Sequence, residues 1–159
     1  MAALVQPRKQ NMQLIKAIED DVPRIMPCAR QFCEVLGVPL NEPHYEAFWR
    51  GQLKARTGAV FLVVDNDTGF VAGGVGGVVC RLDLTGEQEL VEKFWFMDEK
   101  HRHGLWSIKL LKSLESWGKL MQCSHISMIC MEDSMRANLE VFYGRLAYRR
   151  FETVYRKAL

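Results

Sequence analysis

The chain has no Cys-x-x-Cys pair, no internal repeat, no low-complexity tract and no apolar run approaching the length of a membrane span. Its first residues carry no secretory pattern of basic start, apolar stretch and small-residue cleavage site. A zinc ribbon, a dithiol redox motif, a solenoid and a membrane-spanning protein are thereby set aside. Charge of one sign is also missing. The formal net charge is +2, which gives no electrostatic footprint for nucleic acid. The four histidines, His44, His101, His103 and His125, have no partnered cysteine or carboxylate spacing, so no metal site is expected.

What remains is an ordinary globular composition. At 159 residues the chain has the length of one domain and can bury about two-thirds of its unfolded surface. Residues 1–11 read as a flexible N-terminus and residues 12–159 as a single domain. The cysteines Cys28, Cys33, Cys80, Cys123 and Cys130 are odd in number, and most fall in apolar segments. They read as small buried hydrophobes in a reducing, cytoplasmic setting, with Cys80 and Cys130 inert in apolar strands.

Periodicity orders the chain. Met12 to Ala17 alternates as a first strand. Asp20 or Asp21 caps a helix that has Pro23 in its first turn and Val22, Ile25, Ala29, Phe32 and Leu36 along one face, with Gly37 as its stop. A second helix covers Pro43 to Arg56 with Tyr45, Phe48, Trp49 and Leu53 inward. Val60–Val64 is a buried strand, Asp65–Gly69 a turn, and Phe70–Cys80 a strand loosened by Gly73, Gly74, Gly76 and Gly77. Glu89–Met97 is a fourth strand. His103–Met121 forms a helix with Leu110, Leu114, Trp117 and Met121 inward. A strand at Ser124–Met131 follows. Asp133 or Ser134 then caps a helix with Met135, Leu139, Phe142 and Leu146 inward, and a last strand covers Arg149–Lys157. The order β-α-α-β-β-β-α-β-α-β predicts an α/β (α+β) fold, a mixed sheet flanked by about four helices.

Phe94-Trp95-Phe96-Met97 leads through Arg102-His103-Gly104-Leu105-Trp106-Ser107 into the third helix. A strand that turns directly into a helix presents unpaired backbone N–H groups and the positive end of the macrodipole, a setting for phosphate or pyrophosphate. The turn resembles the acetyl-coenzyme A signature of the GCN5-related N-acetyltransferase superfamily, Gln/Arg-x-x-Gly-x-Gly/Ala. Setting the family's leucine pair on Leu110-Leu111 puts its arginine on Arg102 and its last small residue on Ser107. Leu105 then stands where glycine is usual. A second register puts Gly104 on the glycine and His101 on the arginine, and moves Trp106 onto the small position. Near the C-terminus, Arg136-Ala137-Asn138-Leu139 and Phe142-Tyr143-Gly144-Arg145-Leu146-Ala147-Tyr148 resemble the family's last motif, a helix ending in Tyr-x-x-Leu-Gly-Phe, with Ala147-Tyr148 in place of Gly-Phe.

The resemblance implies a mostly antiparallel sheet, acetyl-CoA as cosubstrate, and transfer of its acetyl group to a primary amine by direct attack in a ternary complex. It implies cofactor contacts from Trp95, Phe96, Met97, Arg102, His103, Gly104, Leu105, Trp106 and Ser107, with Asn138 in the later motif. The strand end at Trp95–Met97 would offer free backbone to the pantetheine arm and an N–H to the thioester carbonyl. Tyr143 matches the tyrosine that protonates the departing thiolate. Glu92 and Glu89 lie on the strand where some members carry the general base, and Glu92 is preferred, grouped by alternation with Phe94 and Phe96. A solvated strand glutamate is the plain alternative for either. The amine acceptor, small molecule or protein, is left open. A homodimer is admitted, and neither nucleic acid nor membrane is expected as a partner.

Two rivals stand beside this reading. A non-catalytic binding or structural protein could keep the same fold, and Leu105 favours it. The short, divergent form also looks like acetyltransferase-like proteins of bacterial or bacteriophage type. A different acyl donor is the other rival.

Overall fold

The computed structural model describes residues 11–102, 104–130 and 136–158. The chain divides into two compact units, one ending at Ile129 and one beginning at Cys130. The first contains β1 (Met12–Lys16), α1 (Val22–Leu36), α2 (Glu42–Ala55), β2 (Gly58–Asp65), β3 (Val71–Arg81), β4 (Gln88–Met97), α3 (Trp106–Leu120) and β5 (His125–Ser127). The second contains α4 (Arg136–Arg145). Among the described residues no helix is long and apolar enough to cross a membrane.

The five strands lie in the order β1-β2-β3-β4-β5. The first three pairings are antiparallel, and β4 with β5 is parallel. The unbroken apolar run of β2 follows from burial on both faces. Val60, Leu62 and Val64 join Val22, Ile25 and Trp49 on the side of α1 and α2. Ala59, Phe61 and Val63 join Leu110, Leu114 and Trp117 of α3 on the other. Helix ends follow local chemistry. Gly37 closes α1 in the left-handed region at φ 64°, and Asn41 Oδ1 accepts the His44 N–H at 3.2 Å to start α2. The Asp21 side chain does not cap α1; it accepts from the Ile18 N–H (3.0 Å) and from Arg24 (2.9 Å).

The glycines of β3 permit a close approach. A Cβ on Gly76 would lie 2.5 Å from Phe94 Cε1 and 2.7 Å from Trp49 Cη2. The two rings meet edge to face, with centroids 5.5 Å apart. At the same place the β3–β4 register shifts. Gly76 faces Phe94, Gly77 faces Glu92, and Lys93 is the extra residue of a bulge.

Three expectations need correction. No strand forms over Arg149–Lys157, where Phe151, Val154 and Tyr155 are strongly exposed and, among the described residues, no ladder partner supplies hydrogen bonds. The fifth strand is confined to His125–Ser127. Cys80 is exposed at the end of β3, and Cys130 lies outside any strand, so neither is a buried strand thiol; Cys28 is buried. The expected caps at Asp133 and Ser134 and the inward Met135 lie outside the described residues, as do residues 1–10.

Packing on Gly76 yields a stability prediction. Gly76→Ala should cost about 1–3 kcal/mol in urea unfolding, because backbone and two rings must yield. Gly51→Ala, inside α2 with nothing within 4 Å of the added carbon, should gain about 0.5–1 kcal/mol.

Candidate active site

The pairing of β4 with β5 covers only Glu89–Val91 against His125–Ser127. Beyond Val91, Ile129 donates its backbone N–H to Glu92 Oε2 at 2.8 Å instead of to a strand carbonyl. The two strands therefore part at Glu92. This carboxyl is 4% exposed, the one buried charged side chain among the described residues. Burial pushes it up from 4.5 to about 7, and the Ile129 N–H and Lys93 ammonium only partly oppose the shift. Glu89, half-buried, instead accepts from the Ser127 hydroxyl. The bulge also breaks the alternation expected here: Glu92 and Phe94 pair with consecutive residues of β3 rather than alternate ones.

Trp95, Phe96 and Met97 pair with Val75, Gly74 and Gly73, which fixes the end of β4. Trp95 and Met97 pack on the side of α3, and Phe96 lines a cavity of about 420 Å3 beside α1. Asp98 Oδ1 accepts from the Lys100 N–H (3.1 Å) and meets the His101 ring at 3.0 Å, forming the turn into α3. Arg102 Nε donates to the Met97 carbonyl at 3.0 Å. The guanidinium stands with Glu34, Asp98 and Glu99 around the same cavity, so acids share the space next to the expected phosphate arginine. His103 lies outside the described residues.

Lys109 N donates to Leu105 O (2.9 Å), and among the described residues the Trp106, Ser107 and Ile108 N–H groups before it have no helical partner. Leu105 is the N-cap and supplies no side-chain cap. Its φ is −75°, in the right-handed region, and its side chain is 68% exposed. Gly104 likewise has room for a Cβ, the nearest atom being 3.8 Å away.

In the second unit, Tyr143 is buried on α4, with its ring 6.1 Å from Phe142 and 5.5 Å from Tyr148. The Tyr148 N–H returns to the Tyr143 carbonyl at 3.0 Å, closing the helix through Ala147 at φ 63°. Asn138 is exposed on the same helix.

At the level of sequence, no protein-family model and no curated protein matches the chain. Solved structures do. A predicted acetyltransferase from Clostridium acetobutylicum, solved with acetyl-CoA, superposes with a TM-score of 0.75 at 12% identity, over 92% of this chain and 96% of that one. An acetyltransferase of Trypanosoma brucei gives 0.73 at 16%, over 94% and 100%. Glucosamine-6-phosphate N-acetyltransferase from Arabidopsis thaliana gives 0.70 at 13%, over 94% and 99%. The fold is that of the GCN5-related N-acetyltransferases.

Seen as an acetyltransferase fold, the departures from the family's motifs have physical readings. Leu105 replaces a glycine at a position where this backbone needs no positive φ. Ala147 replaces a glycine where it does, and pays about 1 kcal/mol for a left-handed conformation. Sequence reasoning missed the Ile129 N–H as the partner of Glu92, because a backbone donor has no residue signature. It also missed Glu34 and Glu99, which only the packing of α1 against the β4–α3 turn brings beside Arg102.

The raised carboxyl of Glu92 has a consequence for stability. The folded state holds this proton more tightly than the unfolded one. Its contribution is full below about pH 4.5 and is lost as pH rises through about 7, a change on the order of 3 kcal/mol. Glu92→Gln keeps an acceptor for Ile129 and should flatten unfolding stability across that window, overtaking the parent protein above pH 7. Parallel curves for the two proteins would refute the assignment.

Proposed function

We propose that the chain is an N-acetyltransferase that moves the acetyl group of acetyl-CoA onto a primary amine by direct attack within a ternary complex. The observation that carries the reading is Glu92: a buried carboxyl on β4, at the point where β4 and β5 part, with an affinity for protons near neutrality. A base of that strength accepts a proton from an ammonium group without being fully protonated itself at working pH.

The remaining steps follow from the chain's own groups. The uncapped first turn of α3 offers N–H donors to the pyrophosphate, with Arg102 adding charge from the side. Trp95, Phe96 and Met97 form the end of β4 beyond its pairing with β5, where the pantetheine arm would lie and a backbone N–H would polarise the thioester carbonyl. The neutral amine adds to that carbonyl, the carbon–sulfur bond breaks, and the thiolate takes a proton. Tyr143 is assigned as its donor on the strength of the C-terminal motif, with Asn138 as a cofactor contact on the same ground. The non-catalytic alternative rests on Leu105, whose exposed side chain stands on right-handed backbone at the N-terminus of α3, and acetyl-CoA binding decides between the two readings.

Acetyl-CoA should bind with micromolar affinity by calorimetry, and Arg102→Ala should weaken it about tenfold. With an accepted amine, kcat/KM should rise with pH to a plateau above about 7 and fall at least 100-fold in Glu92→Gln. Tyr143→Phe should lower kcat about tenfold with acetyl-CoA affinity unchanged. Absence of acetyl-CoA binding in the parent protein would turn the reading toward a non-catalytic module.

A further inference from the structure

The helix α3 covers the sheet over β2 and β3 and leaves the edge strand β1 beside an open groove of about 590 Å3. Its floor is apolar. Phe61 and Trp117 are recessed, 8% and 6% exposed, with Leu14 beside them. At one end Leu120 stands 81% exposed at the last position of α3. The walls are basic: Lys16 comes from β1, and Lys109 and Lys112 come from α3. Ser113 and Ser116 complete the helix wall. On α3, positions 109, 112, 113, 116 and 120 recur at three- and four-residue steps, so one flank of the helix faces the groove. None of the lining residues is acidic.

We infer that this groove docks an acidic peptide segment of a partner protein, one that alternates carboxylates with aliphatic side chains. The chemistry is complementary on both counts. Carboxylates meet the three lysines along the walls, and aliphatic groups cover Phe61, Trp117 and Leu120. The lysines are placed for this: Lys16 Nζ lies 5.8 Å from the centre of the Trp117 ring and Lys109 Nζ 4.3 Å from that of Trp106. Lys112 Nζ meets Glu115 at 3.1 Å, a half-buried acid one turn along α3 that does not line the groove. The recessed floor suits a single chain lying in the groove and not a flat bilayer surface. The chain's own residues 1–10 carry Arg8 and Lys9 and no acid, which opposes their occupying it. The groove lies on the β1 side of α3, at the other edge of the sheet from β4 and β5, and the inference stands whether or not the acetyl-transfer reading holds.

The test uses fluorescence anisotropy on the full chain with a fluorescein-labelled peptide of alternating glutamate and leucine. A matching peptide of alternating lysine and leucine, and phosphatidylglycerol vesicles, serve as rivals. The acidic peptide should bind at least tenfold more tightly than the basic one, and added salt should weaken it. Lys16→Glu combined with Lys112→Glu, and separately Leu120→Ser, should each weaken it about tenfold. All these positions are exposed, so the melting temperature should not move and lost binding cannot be ascribed to unfolding. No binding of the acidic peptide, equal affinity for both peptides, or indifference to the lysine substitutions would overturn the inference. So would preferential capture by vesicles, or a self-association that excludes the peptide.

Discussion

The contact on which the first unit depends is the seating of the Phe94 and Trp49 rings directly on the backbone of Gly76. A side chain at that point forces both rings to shift, because its Cβ would lie 2.5 Å from Phe94 and 2.7 Å from Trp49. The rings bring α2 down onto β3 and β4. The register shift between Gly76 and Gly77 leaves Lys93 as the extra residue of β4. Glu92 is the neighbour of that extra residue. The glycine-rich strand, which weakens the sheet by composition alone, thus fixes where the ladder is interrupted.

Interruption has an electrostatic price that the structure meets only in part. Among the described residues Glu92 has one backbone donor, from Ile129, and Lys93 next to it in sequence. A carboxylate with several N–H donors would be held well below 4.5; with one donor and a buried surround it is driven upward. Folding alone would be better served by an apolar residue or by glutamine. A buried acid that costs stability above neutral pH, sited where the β4–β5 pairing ends, is the kind of compromise that the proposed catalysis would impose. The α3 N-terminus follows the same pattern, since it has no side-chain cap although a serine or aspartate at position 105 would supply one.

Much of this fold was legible in residue order. The spacing of Val22, Ile25 and Ala29, the Gly37 stop, the run Val60–Val64 and the Leu110–Leu114–Trp117 face each encode a local period, and local periods survive in the structure. The strand–turn–helix around Arg102 and Ser107 was legible for the same reason. What could not be read was set by pairing between distant segments. The bulge at Lys93 is a property of two strands, so alternation along β4 alone gives no sign of it. The segment Arg149–Lys157 has strand-like residues, but a strand also needs a ladder partner. Arg102 was readable as a cation, yet its setting among Glu34, Asp98 and Glu99 depends on how α1 packs.

The central claim is that Glu92 is a carboxyl poised near neutrality by burial at the point where β4 and β5 diverge. Its titration by carbon-13 NMR, with the signal assigned by comparison with Glu92→Gln, tests this directly. A midpoint close to 7 is the predicted result. A midpoint at the ordinary glutamate value of 4.5 would contradict the account, because the group would then be solvated and the base it supplies to the proposed reaction would be no different from any surface carboxylate.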